Sequence, residues 1–184
     1  MNTKILFLST LVMAIALGCV NTIDYQAPQQ VNQNSSFQSI VYTEAVDSLP
    51  LPGYTITGLL EVLVPEGWSV DSVFLDGYSF YGLMSSGSSG WAAEEYPPGI
   101  GYKWVSFYAS ELTGDYGDTG QATVYITSGD SAGVYTTAAI GVIIVVEPWV
   151  AYLREGDPCS CSVEINPLNL EQETWGSIKL ELGE

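Results

Sequence analysis

The stretch VYTTAAIGVIIVV, from position 134 to 146, decides the fold, because it is the most apolar run of the chain outside the N-terminal segment. It is rich in β-branched residues, which favour strands. A membrane-spanning helix needs about 20 apolar residues, and this run is about a dozen long with two threonines inside it. We therefore predict a central β-strand, either long or bent at Gly141.

The surrounding sequence repeats the strand pattern at regular spacing. In QATVYIT, positions 121–127, Ala122, Val124 and Ile126 alternate with polar or amphipathic residues, as in a half-buried strand. Further strands are predicted at 37–45, 56–64, 69–75, 102–108, 161–165 and 178–182. Gly, Pro and Asp turns separate these segments, so we predict an all-β fold, an antiparallel sandwich of about seven to nine strands.

The same patterns predict which side chains are buried. The period-two segment and the apolar run place four aliphatic residues in the core, and two tryptophans beside apolar strands are expected to fill it. These residues are Val124, Ile126, Val142, Ile144, Trp68 and Trp104.

The N-terminus reads as an export signal. Lys4 precedes a short apolar run, and AIALGC at positions 14–19 resembles a bacterial lipobox, in which Cys19 becomes the acylated first residue. Ala14 and Ala16 also fit ordinary signal-peptidase cleavage, which would give a secreted soluble protein. We expect residues 1–18 to be the signal, residues 19–36 to be a flexible polar tether, and residues 37–184 to form one domain.

Charge and composition exclude several classes of function. The chain has 21 acidic and 4 basic residues, a net charge of −17, and no histidine. Such a charge repels phosphate backbones, so nucleic acid is excluded as a partner, and membrane contact is expected only through the lipid. Without histidine the chain cannot use Ser-His-Asp or Cys-His catalysis, and no phosphate-binding loop is present. We expect no enzymatic activity, although so many acids leave a glycosidase pair open without nominating one.

Four quoted segments carry a family resemblance: QQVNQNSSFQSIVYTEAV, LLEVLVPEGWSVDSVFLDG, YKWVSFYAS and GQATVYITSGDSAGVYTTAAIGV. Together they resemble the immunoglobulin-like sandwich modules of bacterial surface lipoproteins, including those that accompany outer-membrane glycan-uptake systems. The resemblance covers residues 30–147 and implies an immunoglobulin-like fold at the cell surface or outer membrane, with no catalytic residue. The tail from about position 148 lies outside it and is interpreted as a C-terminal extension, either at the edge of the sandwich or as a small appended unit.

Aromatic residues suggest one binding site. Residues 85–101 lack apolar alternation and are predicted to form a long loop. Within or beside it, Trp91, Tyr96 and Tyr102 are candidates for a glycan-binding platform. The alternative is that Trp91 packs the loop onto the body of the domain.

Two further groups leave alternatives open. Asp115, Asp118 and Asp130 lie beside glycines, as in calcium loops, but Asp and Gly are also ordinary turn formers, so no cofactor is expected. Cys159 and Cys161 could form a disulfide in an oxidising compartment or remain free thiols, because a bridge between them needs a strained turn.

The predicted function is that of a lipid-anchored, non-catalytic interaction or structural module at the bacterial surface. Its expected partners are the membrane, through the lipid, and a protein or a glycan. The alternative is a carbohydrate-binding module of a glycan-uptake or glycan-degrading system.

Overall fold

The computed structural model describes residues 20–46, 56–145 and 151–167. These residues form twelve strands and one helical turn, α1 (Trp91–Glu95). The strands are β1 (Val20–Gln26), β2 (Gln30–Asn32), β3 (Ser36–Ala45), β4 (Ile56–Pro65), β5 (Ser69–Gly77), β6 (Phe80–Leu83), β7 (Ser85–Gly87), β8 (Tyr102–Ser110), β9 (Thr119–Thr127), β10 (Gly133–Val145), β11 (Ala151–Glu155) and β12 (Cys159–Asn166). Among the described residues, no helix has the length and apolar character to cross a membrane.

The strands form two packed sheets. Sheet A has the order β6-β5-β9-β3-β1, and all four of its pairings are antiparallel. In sheet B, β10 pairs with β4, followed by β8 and β7, and its other edge pairs with β12 and β11. Strand β11 also pairs in parallel with β1, so it joins the two sheets. The predicted all-β, immunoglobulin-like sandwich is confirmed.

The main core lies between the sheets. Val124 and Ile126 of β9 are fully buried there, as predicted, and Trp68 packs beside them with 3% of its surface exposed. Alternate residues of β9 point outward, which is the half-buried pattern that QATVYIT predicted.

Strand β10 is buried on both faces, which explains its continuous apolar sequence. Ala139 and Ile143 face the main core, whereas Val142 and Ile144 belong to a second cluster on the outer face of sheet B. Val142 and Ile144 are therefore buried, as predicted, but outside the main core that contains Val124 and Ile126. At Gly141 the strand is long rather than bent, since its register with β4 runs without a shift.

Gly141 is needed because β1 passes close to it. Its N–H donates to Thr22 Oγ1 at 2.7 Å, and a Cβ at this position would lie 3.1 Å from Thr43 Cγ2. On this side, the partner of β10 changes from β12 to β11. Glycine at this position thus allows β10 to pair with β12 before it and with β11 after it.

The flexible tether predicted for residues 19–36 is wrong for the part that the structure describes. Val20, Thr22 and Tyr25 of β1 point into the core, and β1 pairs with β3 along its length. The polar residues that suggested a tether are the outward half of a strand. Cys19 and the signal segment 1–18 lie outside the described residues.

Where it is described, the predicted C-terminal extension adds strands to the sandwich. β12 pairs with seven residues of β10, and Val163 and Ile165 are buried in the main core. β11 and β12 are therefore integral strands of the sandwich. The strand predicted at 178–182 lies outside the described residues.

Candidate interaction surfaces

The outer face of sheet B is covered by α1. Beneath the helix, the carboxylate of Glu61 in β4 is fully buried. Its Oε2 accepts the Ala92 N–H at 2.6 Å, and its Oε1 accepts the hydroxyls of Ser106, at 2.7 Å, and Ser89. Buried carboxylates need such donors. Glu61 therefore fastens the start of α1 to the sheet.

The predicted glycan platform does not form. The Trp91 and Tyr96 rings are inclined at 76°, with centroids 6.3 Å apart, and both are half-buried against the second cluster. Trp104 also belongs to this layer rather than to the main core, and its Nε1–H donates to the Tyr96 carbonyl at 2.9 Å. Tyr102 is not part of the group, and its hydroxyl accepts the Thr136 N–H at 3.3 Å. Packing, the alternative reading of Trp91, accounts for this arrangement.

The region 85–101, predicted to be a loop, is only partly one. Ser85–Gly87 forms β7, which pairs with β8, and Trp91–Glu95 forms α1. Both elements are too short to produce a period in the sequence. The signal that could have identified α1 as a cover is the second apolar face of β10, which requires something to bury it.

The acidic turns are not brought together. Asp118 Oδ2 accepts the Asp115 N–H at 2.8 Å, and the Asp118 N–H donates to the Asp115 carbonyl at 3.0 Å, which closes a turn before β9. Asp130 follows the other end of β9 and accepts the Ser131 hydroxyl at 3.1 Å. Within the described ranges, no three Cys, Asp or Glu side chains form a group that could hold a metal ion.

The two cysteines of β12 are separate thiols with separate partners. Cys159 Sγ donates to the Thr22 carbonyl at 3.3 Å, and Cys161 Sγ lies 3.6 Å from Thr137 Oγ1. Both pack against the main core, and burial raises the pKa of each thiol. Their role in the structure is packing, which is the free-thiol alternative.

The outer face of sheet A is the largest feature that the sequence patterns missed. Residues that alternate with the buried Val73, Ala122 and Val41 point outward, where no helix of the described part of the chain covers them. Phe74 and Tyr81 contact each other edge to face at 4.9 Å. The apolar and aromatic members of this face are Ile40, Tyr42, Phe74, Tyr81, Leu83 and Tyr125, and its charged members are Asp24, Glu44, Asp71 and Asp76.

One border of this face is the edge strand β6, which pairs with β5 alone among the described strands. The Met84 N–H donates to the Val73 carbonyl at 2.9 Å, and this bond sets the alternation of the antiparallel ladder. The backbone groups of Tyr81 and Leu83 consequently point away from β5. Their side chains are 78% and 66% exposed.

A tight hairpin creates this edge. Tyr78 and Ser79 join β5 to β6 with φ values of 53° and 58°, which is the left-handed conformation of a two-residue hairpin turn. Neither residue is a usual occupant of that turn, so no hairpin could be predicted here from residue type. The four-residue strand that follows was too short to be predicted.

Comparison with known proteins gives similarity of fold. No family model matches the chain, and no curated protein matches it. A cohesin module of a family 33 glycoside hydrolase from Clostridium perfringens is 16% identical, with a TM-score of 0.47, over 83% of this chain and 99% of that one. A non-cellulosomal cohesin from Archaeoglobus fulgidus is 13% identical, with a TM-score of 0.42, over 86% and 98%.

The collagen-binding domain of a Staphylococcus aureus adhesin is 8% identical, with a TM-score of 0.38, over 78% of this chain and 98% of that domain. At such identities these likenesses concern the fold alone and carry no argument about what this chain binds. The topology described above already gives that fold, an all-β sandwich of the immunoglobulin-like kind.

Proposed function

We propose that the chain is a non-catalytic interaction module of an exported bacterial surface protein. Its binding surface is the outer face of sheet A together with the β6 edge, and its partner is a protein that supplies an extended segment bearing Lys or Arg. The observation that carries the proposal is the edge at Tyr81 and Leu83, which pairs with no other strand among residues 20–46, 56–145 and 151–167. This edge is continuous with a face of apolar and acidic side chains that no helix in those ranges covers.

The backbone of β6 is able to pair with a partner strand. An exposed edge strand presents N–H and C=O groups that a partner strand can pair with, and many peptide-binding domains use this mode. Proteins commonly protect such edges with charge, proline or a covering element. In FYGL of β6 no residue is charged and none is proline, and α1 lies on the other sheet.

The side chains of the outer face of sheet A determine which partner strand fits. Asp76 lies directly opposite Tyr81 in the ladder, and Asp24, Glu44 and Asp71 extend the negative charge across the face. No described cationic side chain lies among them, because Lys103 is on β8 of sheet B. A partner strand with alternating cationic and apolar residues satisfies both parts of this surface, and its binding should weaken as salt rises.

The test uses a displayed library of random linear peptides selected against the folded protein. We expect the selected peptides to alternate Lys or Arg with apolar residues. Leu83→Pro removes an N–H that β5 does not use, so it should abolish peptide binding while the domain remains folded. Leu83→Thr is a second test variant, and Val134→Thr is its matched control, because Val134 is also an exposed aliphatic residue, with 71% of its surface exposed. Val134→Pro cannot serve as a control for Leu83→Pro, because Val134 lies inside the β10 ladder.

The outcomes are clear on both sides. Loss of binding in Leu83→Pro and Leu83→Thr, with Val134→Thr unchanged, supports the proposal. Selected peptides that lack cationic residues, or that bind Leu83→Pro as tightly as the original protein, would overturn it.

We also propose membrane attachment through a lipid on Cys19, with placement in the outer membrane or at the cell surface. The lipobox-like AIALGC supports this, and β1 begins at the next residue, so the lipid would hold the sandwich close to the bilayer. Cys19→Ser should abolish fatty-acid labelling and release the protein from the membrane fraction. A variant that still fractionates with membranes would contradict the anchor.

A further inference from the structure

The outer edge of β6 has the geometry to accept one more strand, and a segment of this same chain has the sequence of such a strand. Within the ranges that the structure describes, β6 pairs with β5 alone, and Tyr81 and Leu83 are exposed. The segment IKLEL, positions 178–182, lies outside the described residues, and its alternation predicts a strand. It is the one predicted strand that the fold described above does not contain.

The apolar residues of β6 and of the segment 178–182 have the same spacing. Tyr81 and Leu83 lie two positions apart on the outer face of sheet A. In the segment, the apolar residues are also two positions apart, at 178, 180 and 182. Residues directly opposite each other in an antiparallel pair have side chains on the same face, so two of these three residues can cover Tyr81 and Leu83 together. Burial of this exposed apolar surface favours the pairing.

The intervening chain is long enough to reach β6. β12 ends at Asn166, at the same end of the sandwich as Ser69, where β5 begins. From there, the edge beside Leu83 is about 20 Å across the strands, about 17 Å along them and about 10 Å away in the other sheet, a straight distance of about 28 Å. The eleven residues 167–177 span about 36 Å when extended. β6 itself runs towards this end, so a segment that arrives from it pairs antiparallel.

We propose that the segment 178–182 pairs with the outer edge of β6 in the same molecule and so covers the binding surface proposed above, on which this inference rests. A short linker holds the segment near the edge at an effective concentration in the millimolar range. Pairing within one molecule is therefore favoured over pairing between two dilute copies.

The segment satisfies only part of the surface that it covers. With its apolar residues on the outer face, Lys179 and Glu181 lie on the opposite face of the added strand. The negative charge of Asp76, opposite Tyr81 in the ladder, therefore stays without a cationic partner. An external strand with Lys or Arg on the outer face supplies both the apolar contact and the charge, so it displaces the segment. The segment thus protects the edge and selects for cationic partners.

The test measures hydrogen exchange of the Tyr81 and Leu83 backbone amides in the full chain. We expect both amides to exchange at least about tenfold more slowly in the original protein than in a variant whose segment cannot pair. Adjacent N–H groups of a strand point to opposite sides, so either Lys179→Pro or Leu180→Pro removes an N–H that β6 uses. Gln172→Pro, in the linker, is the matched control and should keep the slow exchange.

The Val124 amide, in the main core, shows that each variant remains folded. Loss of protection at β6 in one of the two segment variants, with Gln172→Pro unchanged, supports the inference. Equal exchange rates in all the variants would overturn it. Protection that disappears on dilution, together with a dimer in size-exclusion chromatography, would also overturn it, because the segment would then belong to a second copy.

A peptide titration separates this inference from the proposed function. An octapeptide of alternating Lys and Val is titrated against the original protein and against the segment variant that loses protection. We expect the variant to bind the octapeptide about tenfold more tightly, because no internal segment competes. Equal affinities would overturn the inference. An octapeptide that binds neither protein would contradict the proposed function, whereas the exchange rates would still decide whether the segment covers β6.

Discussion

At the scale of single residues, Glu61 shows what an alternating pattern cannot reveal. In LLEVLV a carboxylate among aliphatic residues predicts an outward, solvated position, and Glu61 does point outward from sheet B. It is nevertheless fully buried, because α1 closes over it. Three donors satisfy the carboxylate: the Ala92 N–H of α1, the Ser89 hydroxyl just before the helix and the Ser106 hydroxyl of β8. No local rule links position 61 to positions 89, 92 and 106.

Replacing Glu61 tests whether its hydrogen bonds to Ser89, Ala92 and Ser106 stabilise the fold. In Glu61→Gln one carboxylate oxygen becomes an amide that cannot accept, so we expect the free energy of unfolding to fall by about 1–3 kcal/mol. Denaturant unfolding at neutral pH measures the change. Glu66→Gln, at an exposed carboxylate, should shift stability by no more than about 0.5 kcal/mol. Equal effects of the two substitutions would show that Glu61 holds nothing.

Tyr78 gives the molecule a defined alkaline response. Its hydroxyl donates to Thr43 Oγ1 at 2.7 Å, and burial raises the pKa of Tyr78 from 10.0 to about 12. Between these two values the unfolded chain releases the proton and the native state keeps it, so stability falls as pH rises from about 10 to about 12.

The slope that Tyr78 contributes in this window approaches about 1.4 kcal/mol per pH unit, and below it the residue adds no pH dependence. Tyr78→Phe should remove that part of the slope in unfolding experiments at alkaline pH. Tyr81→Phe, the same substitution at an exposed ring, is the comparison variant. Because burial also raises the pKa of Tyr25, the difference between the variants is the informative quantity.

At the scale of elements, sequence periodicity found the long strands and missed the short ones. β3, β4, β5, β8, β9, β10 and β12 all lie where apolar alternation or an apolar run predicted strands. β2, β6 and β7 have three or four residues, which is at most two periods of a strand. The uncovered face and edge of the candidate site depend on β6, so that site could not be predicted from the sequence. The site at Trp91 was predicted, but the rings of Trp91 and Tyr96 pack against the second apolar face of β10.

The double burial of β10 predicts that both of its faces contribute to stability. Ile143→Ala in the main core and Ile144→Ala beneath α1 should each lower the free energy of unfolding by about 2–5 kcal/mol. Val134→Ala, at the exposed start of the same strand, should change it by no more than about 0.5 kcal/mol. Thermal or denaturant unfolding compares the three. A loss of a few tenths at Ile144 would mean that the second cluster adds little.

At the scale of the whole molecule, the largest correction concerns where the domain begins. Composition alone assigned residues 19–36 to a tether, because the segment contains many Asn and Gln residues and few large apolar ones. Three inward positions suffice to make β1 a strand once β3 and β11 pair with it. Such pairing is non-local, since β1 and β11 are more than a hundred positions apart, and a window of sequence cannot contain it.

Truncation tests this boundary. A chain of residues 20–184 should unfold cooperatively, whereas a chain of residues 37–184 lacks β1 and β2 and exposes the edge of β3 and the buried surface of Gly141. We expect the shorter chain to aggregate or to lose its sharp thermal transition. Circular dichroism and size-exclusion chromatography measure both properties. Identical melting of the two chains would return residues 20–36 to the status of a tether.

The two ends of the main strand order, β6 and β7, belong to one run of chain from Phe80 to Gly87, whereas β2 ends a short branch through β12. Linear fibre growth needs two separate binding surfaces on each subunit, so that each subunit contacts one neighbour on either side. Because the two terminal strands share a single border, one neighbouring molecule that binds there covers both of them. Self-association in which this border meets the same border of a second copy would therefore stop at a pair. Growth beyond a pair would need the edge of β2, which has three residues and offers little backbone for pairing.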